Sequence, residues 1–213
     1  ITFVFEGVMH HKDTLGNQVL LEPGSVQRMN AGSGMQHGGD FEGDPRNNTF
    51  HEVQLWVNLP AKDKMSIPTI HNVKSDEIPV VRKGDGVLRI IAGNVLGRLG
   101  PIKTKVPTKF VHAIASNNYT FQLNDFPTSY NVLVYVLKGG FEVDGEMLQD
   151  NYSLVFNNDG TGFDIEGKGE LLIIAGEPID EPVVMGGPFV MNTKDEIEIA
   201  YQDFRDGKFG TMD

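Results

Sequence analysis

Short runs of β-branched and aromatic residues, separated by glycine turns, recur in both halves of this 213-residue chain. The run Ile1 to Glu6 alternates and ends at Gly7, and Val19 to Leu21 follows the turn pair Gly16-Asn17. A period of two is typical of a half-buried strand, and Gly-Asn favours a tight turn between strands. The sequence therefore predicts an all-β protein.

The second half of the chain repeats the same plan. Turns are expected at Gly139-Gly140, at Asp144-Gly145, and around residues 157–160 and 167–169. Strands are predicted over residues 87–92, 131–138, 141–143, 153–156 and 171–175, and over residues 53–59 in the first half. This repetition predicts two β-barrels joined between Lys74 and Gly86. We assign residues 1–80 to the first barrel, 81–188 to the second, and 189–213 to a C-terminal helix and tail.

The C-terminal segment has the pattern of an amphipathic helix. Thr193 to Glu196 forms a capping box, in which a hydroxyl and a carboxylate satisfy free N–H groups at a helix start. Apolar residues recur at helical spacing up to Phe204, and Gly207 is a stop signal. We expect one short helix that covers a barrel end.

Composition excludes several classes of function. Net charge is −11, and the chain has no long cluster of basic residues, so direct binding to nucleic acid is not expected. The chain has no cysteine, which excludes disulfides and thiolate metal sites and is typical of a reducing compartment. It also lacks the roughly 18-residue apolar stretch of a membrane span.

His37 is the main candidate for chemistry. It ends the stretch Arg28 to His37, which we predict to be a glycine-interrupted strand opened by Pro23-Gly24. A barrel interior can hold several inward side chains around one ion, and neutral imidazole is a good ligand for Fe(II). The residues alone leave two interpretations of His37 open: a metal ligand, or a core histidine with a hydrogen bond.

The other histidines suggest structural roles. His11 and Asp13 have the spacing of one strand face, and we predict a hydrogen-bonded pair near a turn. His51, His71 and His112 have no partner histidine at ligand spacing, so we expect them to be structural or exposed.

Several long strings, in order along nearly the whole chain, resemble the pirin family of two-domain cupins. They comprise Glu6-Gly7, His11, Asp13, Gly16, Pro23-Gly24, Arg28 to His37, Gln54 to Pro60, Lys64-Met65, Ser75 to Pro79, Gly176 to Pro178, Gly187 to Thr193 and Asp203 to Phe209. The resemblance implies two tandem cupin (jelly-roll) β-barrels, with the metal motif in the first only.

The same resemblance implies a ligand set, which this sequence matches in part. Pirins hold metal by His-x-His on an early strand and His-x-Glu on a later one. His37 matches the histidine of the second motif, but Gly39 stands where its glutamate belongs, and the His-x-His pair would lie upstream of Ile1. We predict that Asp40 substitutes for the glutamate through a bulge, with Glu42 as another candidate. The chain by itself is expected to bind metal weakly.

Three functions follow as expectations. The first is an Fe(II)-dependent dioxygenase of the quercetin 2,3-dioxygenase type, acting on small aromatic flavonols, although other divalent transition metals suit the same ligands. The alternative is a non-catalytic, iron-containing regulatory protein that binds a transcription factor or a metabolic enzyme. The third is a structural bicupin without metal. We expect a cytoplasmic protein, or a nuclear one in a eukaryote.

Overall fold

A computed structural model describes residues 1–212 of the chain, which form two compact units. The first unit comprises Ile1–Ser75 together with the chain from Ile179 onward, and the second comprises Asp76–Pro178. The domain bounds predicted from the sequence, at residues 80 and 188, stay a prediction. None of the helices within residues 1–212 is long and apolar enough to cross a membrane.

The N-terminal part of the first unit forms two sheets. Its elements up to residue 75 are β1 (Thr2–Glu6), β2 (Val8–Asp13), β3 (Gln18–Leu21), β4 (Val26–Asn30), β5 (His37–Glu42), β6 (His51–Gln54), α1 (Ala61–Lys64) and β7 (Thr69–Val73), before a 3-10 turn at Ser75–Glu77. One sheet has the order β6-β1-β4-β7 and the other the order β3-β2-β5. The predicted strand over residues 53–59 is wrong beyond Gln54, because the chain leaves the sheet there and reaches α1 through an extended segment.

Residues from both sheets form the interior of the first unit. Val4 of β1 packs in one cluster with Met9 of β2 and Leu21 of β3. Between β1 and β2, Gly7 has a φ of 77°, and a Cβ atom there would lie 2.4 Å from the carbonyl oxygen of Glu42. Only glycine combines that conformation with so close an approach, so Gly7 sets the bend that carries the chain from one sheet to the other.

The second unit contains one larger sheet. Its strands are β8 (Val80–Lys83), β9 (Gly86–Ala92), β10 (Asn94–Val95), β11 (Arg98–Leu99), β12 (Thr108–Asn124), β13 (Asn131–Val143), β14 (Glu146–Gln149), β15 (Ser153–Val155) and β16 (Gly162–Gly176). The main path has the order β14-β13-β16-β12-β9-β8, with β15 paired to β13. Alternate residues of these strands fill a core that includes Val111, Val134, Ile165 and Ile173.

Two turns predicted in the second half are wrong. Gly139-Gly140 and residues 167–169 lie inside β13 and β16, where Gly139 pairs with Gly169. Both glycines have positive φ, and a Cβ at Gly139 would lie 2.1 Å from the carbonyl oxygen of Lys168. These glycines therefore permit close strand contact beside a bulge instead of reversing the chain. The turn predicted at Asp144-Gly145 is confirmed.

The C-terminal segment belongs to the first unit. It contains β17 (Val184–Gly186), β18 (Phe189–Met191) and α2 (Lys194–Arg205). The predicted capping box is confirmed, since the Glu196 amide donates to the Thr193 hydroxyl and the Thr193 amide donates to the Glu196 carboxylate. The predicted all-β class with a short terminal helix is confirmed as well, with open jelly-roll-like sheets in place of closed barrels.

Candidate metal centre

His37 is the first residue of a strand, whereas the sequence analysis predicted that it would be the last residue of one. Strand β4 stops at Asn30, and the intervening turn contains Gly32 and Gly34, both with positive φ. These glycines permit the bend that carries the chain from β4, in one sheet, to β5, in the other. The imidazole thus stands at the first position of β5, opposite Asp13 of β2.

Gln36, the residue before His37, is held by hydrogen bonds to Thr14 and to Gly210. The Gln36 amide donates to the Thr14 hydroxyl at 3.1 Å, and the Thr14 amide donates to the Gln36 carbonyl at 3.0 Å. The Gln36 side chain donates to the carbonyl oxygen of Gly210. The C-terminal segment therefore helps to hold the backbone from which the His37 side chain projects.

Behind His37 lies a buried His–Asp pair, as the sequence predicted. His11 Nε2 lies 2.9 Å from Asp13 Oδ2, and both side chains are fully buried. The same carboxylate accepts hydrogen bonds from the amides of Leu15 and Asn17 and from the Asn17 side chain. Asp13 is thus committed to the turn and to His11, and the predicted hydrogen-bonded pair near a turn is confirmed.

The electrostatics favour the ionised form of Asp13 and the neutral form of His37. Burial by itself raises the pKa of Asp13, but the hydrogen bonds from His11, Asn17 and Leu15 outweigh burial and place that pKa below its usual value. The pKa of His37 is lowered because desolvation and the nearby His11 disfavour its cation, while Asp13 opposes them. The rings of His11 and His37 stack with centroids 5.9 Å apart. A neutral imidazole is the form that binds metal.

The structure does not bring Asp40 to the His37 face of β5. Asp40 is exposed and pairs with His10, whereas His37 pairs with Asp13. Side chains alternate along a strand, so residues three apart point to opposite faces. Glu42 shares the Asp40 face, where its carboxylate lies 2.7 Å from His10 Nε2. The ligand role of Asp40 stays a prediction.

The remaining histidines have the structural or exposed character that was expected. His51 and His71 are exposed. His112 is buried in the second unit, where its Nε2 lies 3.1 Å from a carboxylate oxygen of Glu170.

Glu52 is a residue that the sequence analysis missed. It lies on β6, and its Oε2 atom is buried with no hydrogen-bond partner among residues 1–212. Burial raises the pKa of this carboxyl group. The signal available in the sequence was its position two residues after Phe50, which puts it on the same strand face as an apolar side chain.

His37 and Glu52 are potential donors to a metal ion. Within residues 1–212, no three His, Cys, Asp or Glu side chains converge closely enough to hold one. The chemistry nevertheless fits a divalent cation, because a neutral, accessible imidazole and an orphaned buried carboxylate oxygen lie in the same unit. Tight binding would need donors beyond those that the described residues bring together.

Comparisons with known proteins place the chain in a family. The family models for pirin and for the pirin C-terminal cupin domain match residues 1–57 and 110–210. Pirin-1 of Arabidopsis thaliana is 33% identical over 99% of this chain and 74% of its own length, and mouse pirin is 32% identical over 99% and 74%. A crystal structure of quercetin 2,3-dioxygenase from Acinetobacter baumannii matches with a TM-score of 0.90 at 32% identity, covering 99% of this chain and 75% of that one. The chain therefore belongs to the pirin family of cupin proteins.

Proposed function

We propose that this protein is a metal-dependent dioxygenase that acts on flavonol-type substrates such as quercetin. The observation that carries the proposal is the placement of His37, a neutral and accessible imidazole held at the start of β5. The similarity to the quercetin 2,3-dioxygenase of A. baumannii supports the reaction class. Fe(II) is the metal we propose, with His37 as a ligand. The sequence predicted Asp40 as the carboxylate ligand, but Asp40 lies on the opposite face of β5 from His37.

The chain's own residues contribute positioning and proton control. His11 and Asp13 form a buried pair behind the His37 ring, and the stacked His11 ring disfavours a proton on His37. This keeps a ring nitrogen of His37 available near neutral pH. A bound Fe(II) would supply open coordination positions for a substrate oxygen and for dioxygen.

Metal content and flavonol consumption test this proposal. The purified chain, loaded anaerobically with Fe(II), is mixed with quercetin in air while flavonol absorbance and oxygen uptake are recorded. A dioxygenase places both atoms of O₂ in the product, so we expect equimolar loss of quercetin and oxygen with no added reductant. His37→Ala should abolish both, while Gln18→Ala, an exposed change on β3, should leave them unchanged. Quercetin loss that is unaffected by His37→Ala would refute the assignment.

A regulatory role is the alternative, and Gly39 is the observation that favours it. The pirin motif carries a glutamate at that position, and no described group of three donors replaces it. The net charge of −11 would suit a basic protein partner. Partner binding that depends on the redox state of bound iron, without quercetin turnover, would support the regulator and exclude the enzyme.

A further inference from the structure

Glu52 points into the interior of the first unit. It is directly opposite Val4 in the antiparallel pair of β6 and β1. Residues directly opposite each other in such a pair share a sheet face. Val4 is fully buried and packs with Met9 and Leu21 of the second sheet. The Glu52 side chain therefore enters the space between the two sheets.

The His37 face of β5 continues the face of β2 that carries the buried side chains of Met9, His11 and Asp13, which borders the same space. Val4 packs on Met9, so β1 and β2 fold back on each other about Gly7, and their partners β6 and β5 do likewise. The ring of Phe50, just before β6, contacts that of Phe41 on β5 with centroids 4.5 Å apart. This contact joins β5 to the start of β6, and Glu52 follows Phe50 by two residues on the face that points toward the second sheet.

Position 39 has no room for the carboxylate that the pirin motif places there. Gly39 pairs with His11, and a Cβ atom at Gly39 would lie 1.6 Å from the backbone carbonyl oxygen of His10. A backbone atom at that distance cannot be avoided by a change of rotamer. A carboxylate for the His37 site must therefore come from another position.

The carboxylate of Glu52 has the chemical character of a potential metal ligand. Its buried Oε2 has no hydrogen-bond partner among residues 1–212, and a buried unsatisfied oxygen is costly. The raised pKa of Glu52 has burial as its cause, which a bound cation would offset. By contrast, Asp13 is fully hydrogen-bonded, and Asp40 and Glu42 lie on the opposite face of β5.

We propose that Glu52 is the carboxylate ligand for a divalent cation at the His37 site. It takes the place of the glutamate that the pirin motif has at position 39. The inference rests on the proposed function in one respect, the assignment of His37 as a ligand. It differs from the sequence prediction, which assigned the carboxylate to Asp40.

Zinc titration of the 213-residue chain tests the inference, because Zn²⁺ accepts imidazole and carboxylate and is diamagnetic. Calorimetry gives its affinity for the wild type, His37→Ala, Glu52→Gln and Asp40→Asn. Glu42→Gln is the matched control and also reports zinc held by the exposed His10–Glu42 pair. We expect His37→Ala and Glu52→Gln each to weaken binding at least about tenfold, since even outer-shell partners contribute about 10–100-fold. The other two changes should have less than about a twofold effect.

The outcomes separate the two proposals. Loss of zinc affinity in His37→Ala with wild-type affinity in Glu52→Gln would overturn the role of Glu52 and leave His37 as a ligand. Loss in Asp40→Asn alone would return the carboxylate to Asp40. No zinc binding by the wild type at millimolar concentration would overturn both assignments.

A second measurement tests the inference even if the Glu52→Gln variant fails to fold. The side-chain carboxyl resonance of Glu52, followed by ¹³C NMR in the wild type, should move on addition of zinc, while that of Glu22 should not. A stationary Glu52 resonance at saturating zinc would overturn the inference whatever the variants do.

Discussion

Removing the Asp13 carboxylate should destabilise the first unit by about 4 kcal/mol. This side chain is fully buried and accepts hydrogen bonds from His11, Leu15 and Asn17. In Asp13→Ala, His11 Nε2 would remain buried without a partner, which costs about 1–3 kcal/mol. Water can replace the carboxylate at the partly buried turn, so each hydrogen bond lost there costs only about 0.5–1.5 kcal/mol.

The fluorescence of Trp56 provides the assay, because it is the only tryptophan in the chain and lies in the first unit. Urea unfolding followed at this residue gives the free energy of unfolding by linear extrapolation. Asp40→Ala is the matched control, since it removes an exposed aspartate from the paired strand. It should change the free energy by less than about 0.5 kcal/mol.

A conservative substitution of Asp13 should give an intermediate destabilisation. Asp13→Asn keeps one acceptor oxygen but loses the charge, so we expect about half of the destabilisation seen with alanine. A loss below about 1 kcal/mol in Asp13→Ala would refute the reasoning, because it would mean that the buried pair and the turn do not depend on this carboxylate.

Three further predictions concern the same unit. The pKa of Asp13 in the folded protein lies below its ordinary value. Its contribution to stability should therefore be complete above the ordinary aspartate pKa of about 4 and be lost as the pH falls through the lower folded value. Urea unfolding at a series of pH values would reveal this loss. Gly39→Ala should destabilise by about 1–3 kcal/mol, because its Cβ would overlap the backbone of His10, and a neutral result in thermal unfolding would contradict the close approach. Lys64→Ala should destabilise the first unit by about 2–4 kcal/mol, because the buried ammonium donates to Asn58 at 2.8 Å and to the Val190 carbonyl at 3.1 Å. Since the second bond holds the terminal segment, the variant should also be cleaved faster by proteases after residue 179.

Local chemistry was enough to predict much of this protein. Alternation fixed β1 and β9 closely, and the capping box located the start of α2 because its hydrogen bonds join residues only three apart. The His11–Asp13 pair was also predictable, since two residues on one strand face at a turn meet without help from distant parts of the chain. The strings that resemble pirins identified the family.

The tertiary structure decided which candidate residues share a space. Asp40 and His37 are near in sequence, but strand alternation in the register with β2 places them on opposite faces. Glu52 is distant in sequence, yet its pairing with Val4 turns its carboxylate toward the interior of the first unit. The sequence by itself determined the strands, the helix cap and the family, because these depend on short-range patterns. Strand register and the packing of one sheet on another depend on contacts between distant residues, so only the folded chain decides which side chains face the same space.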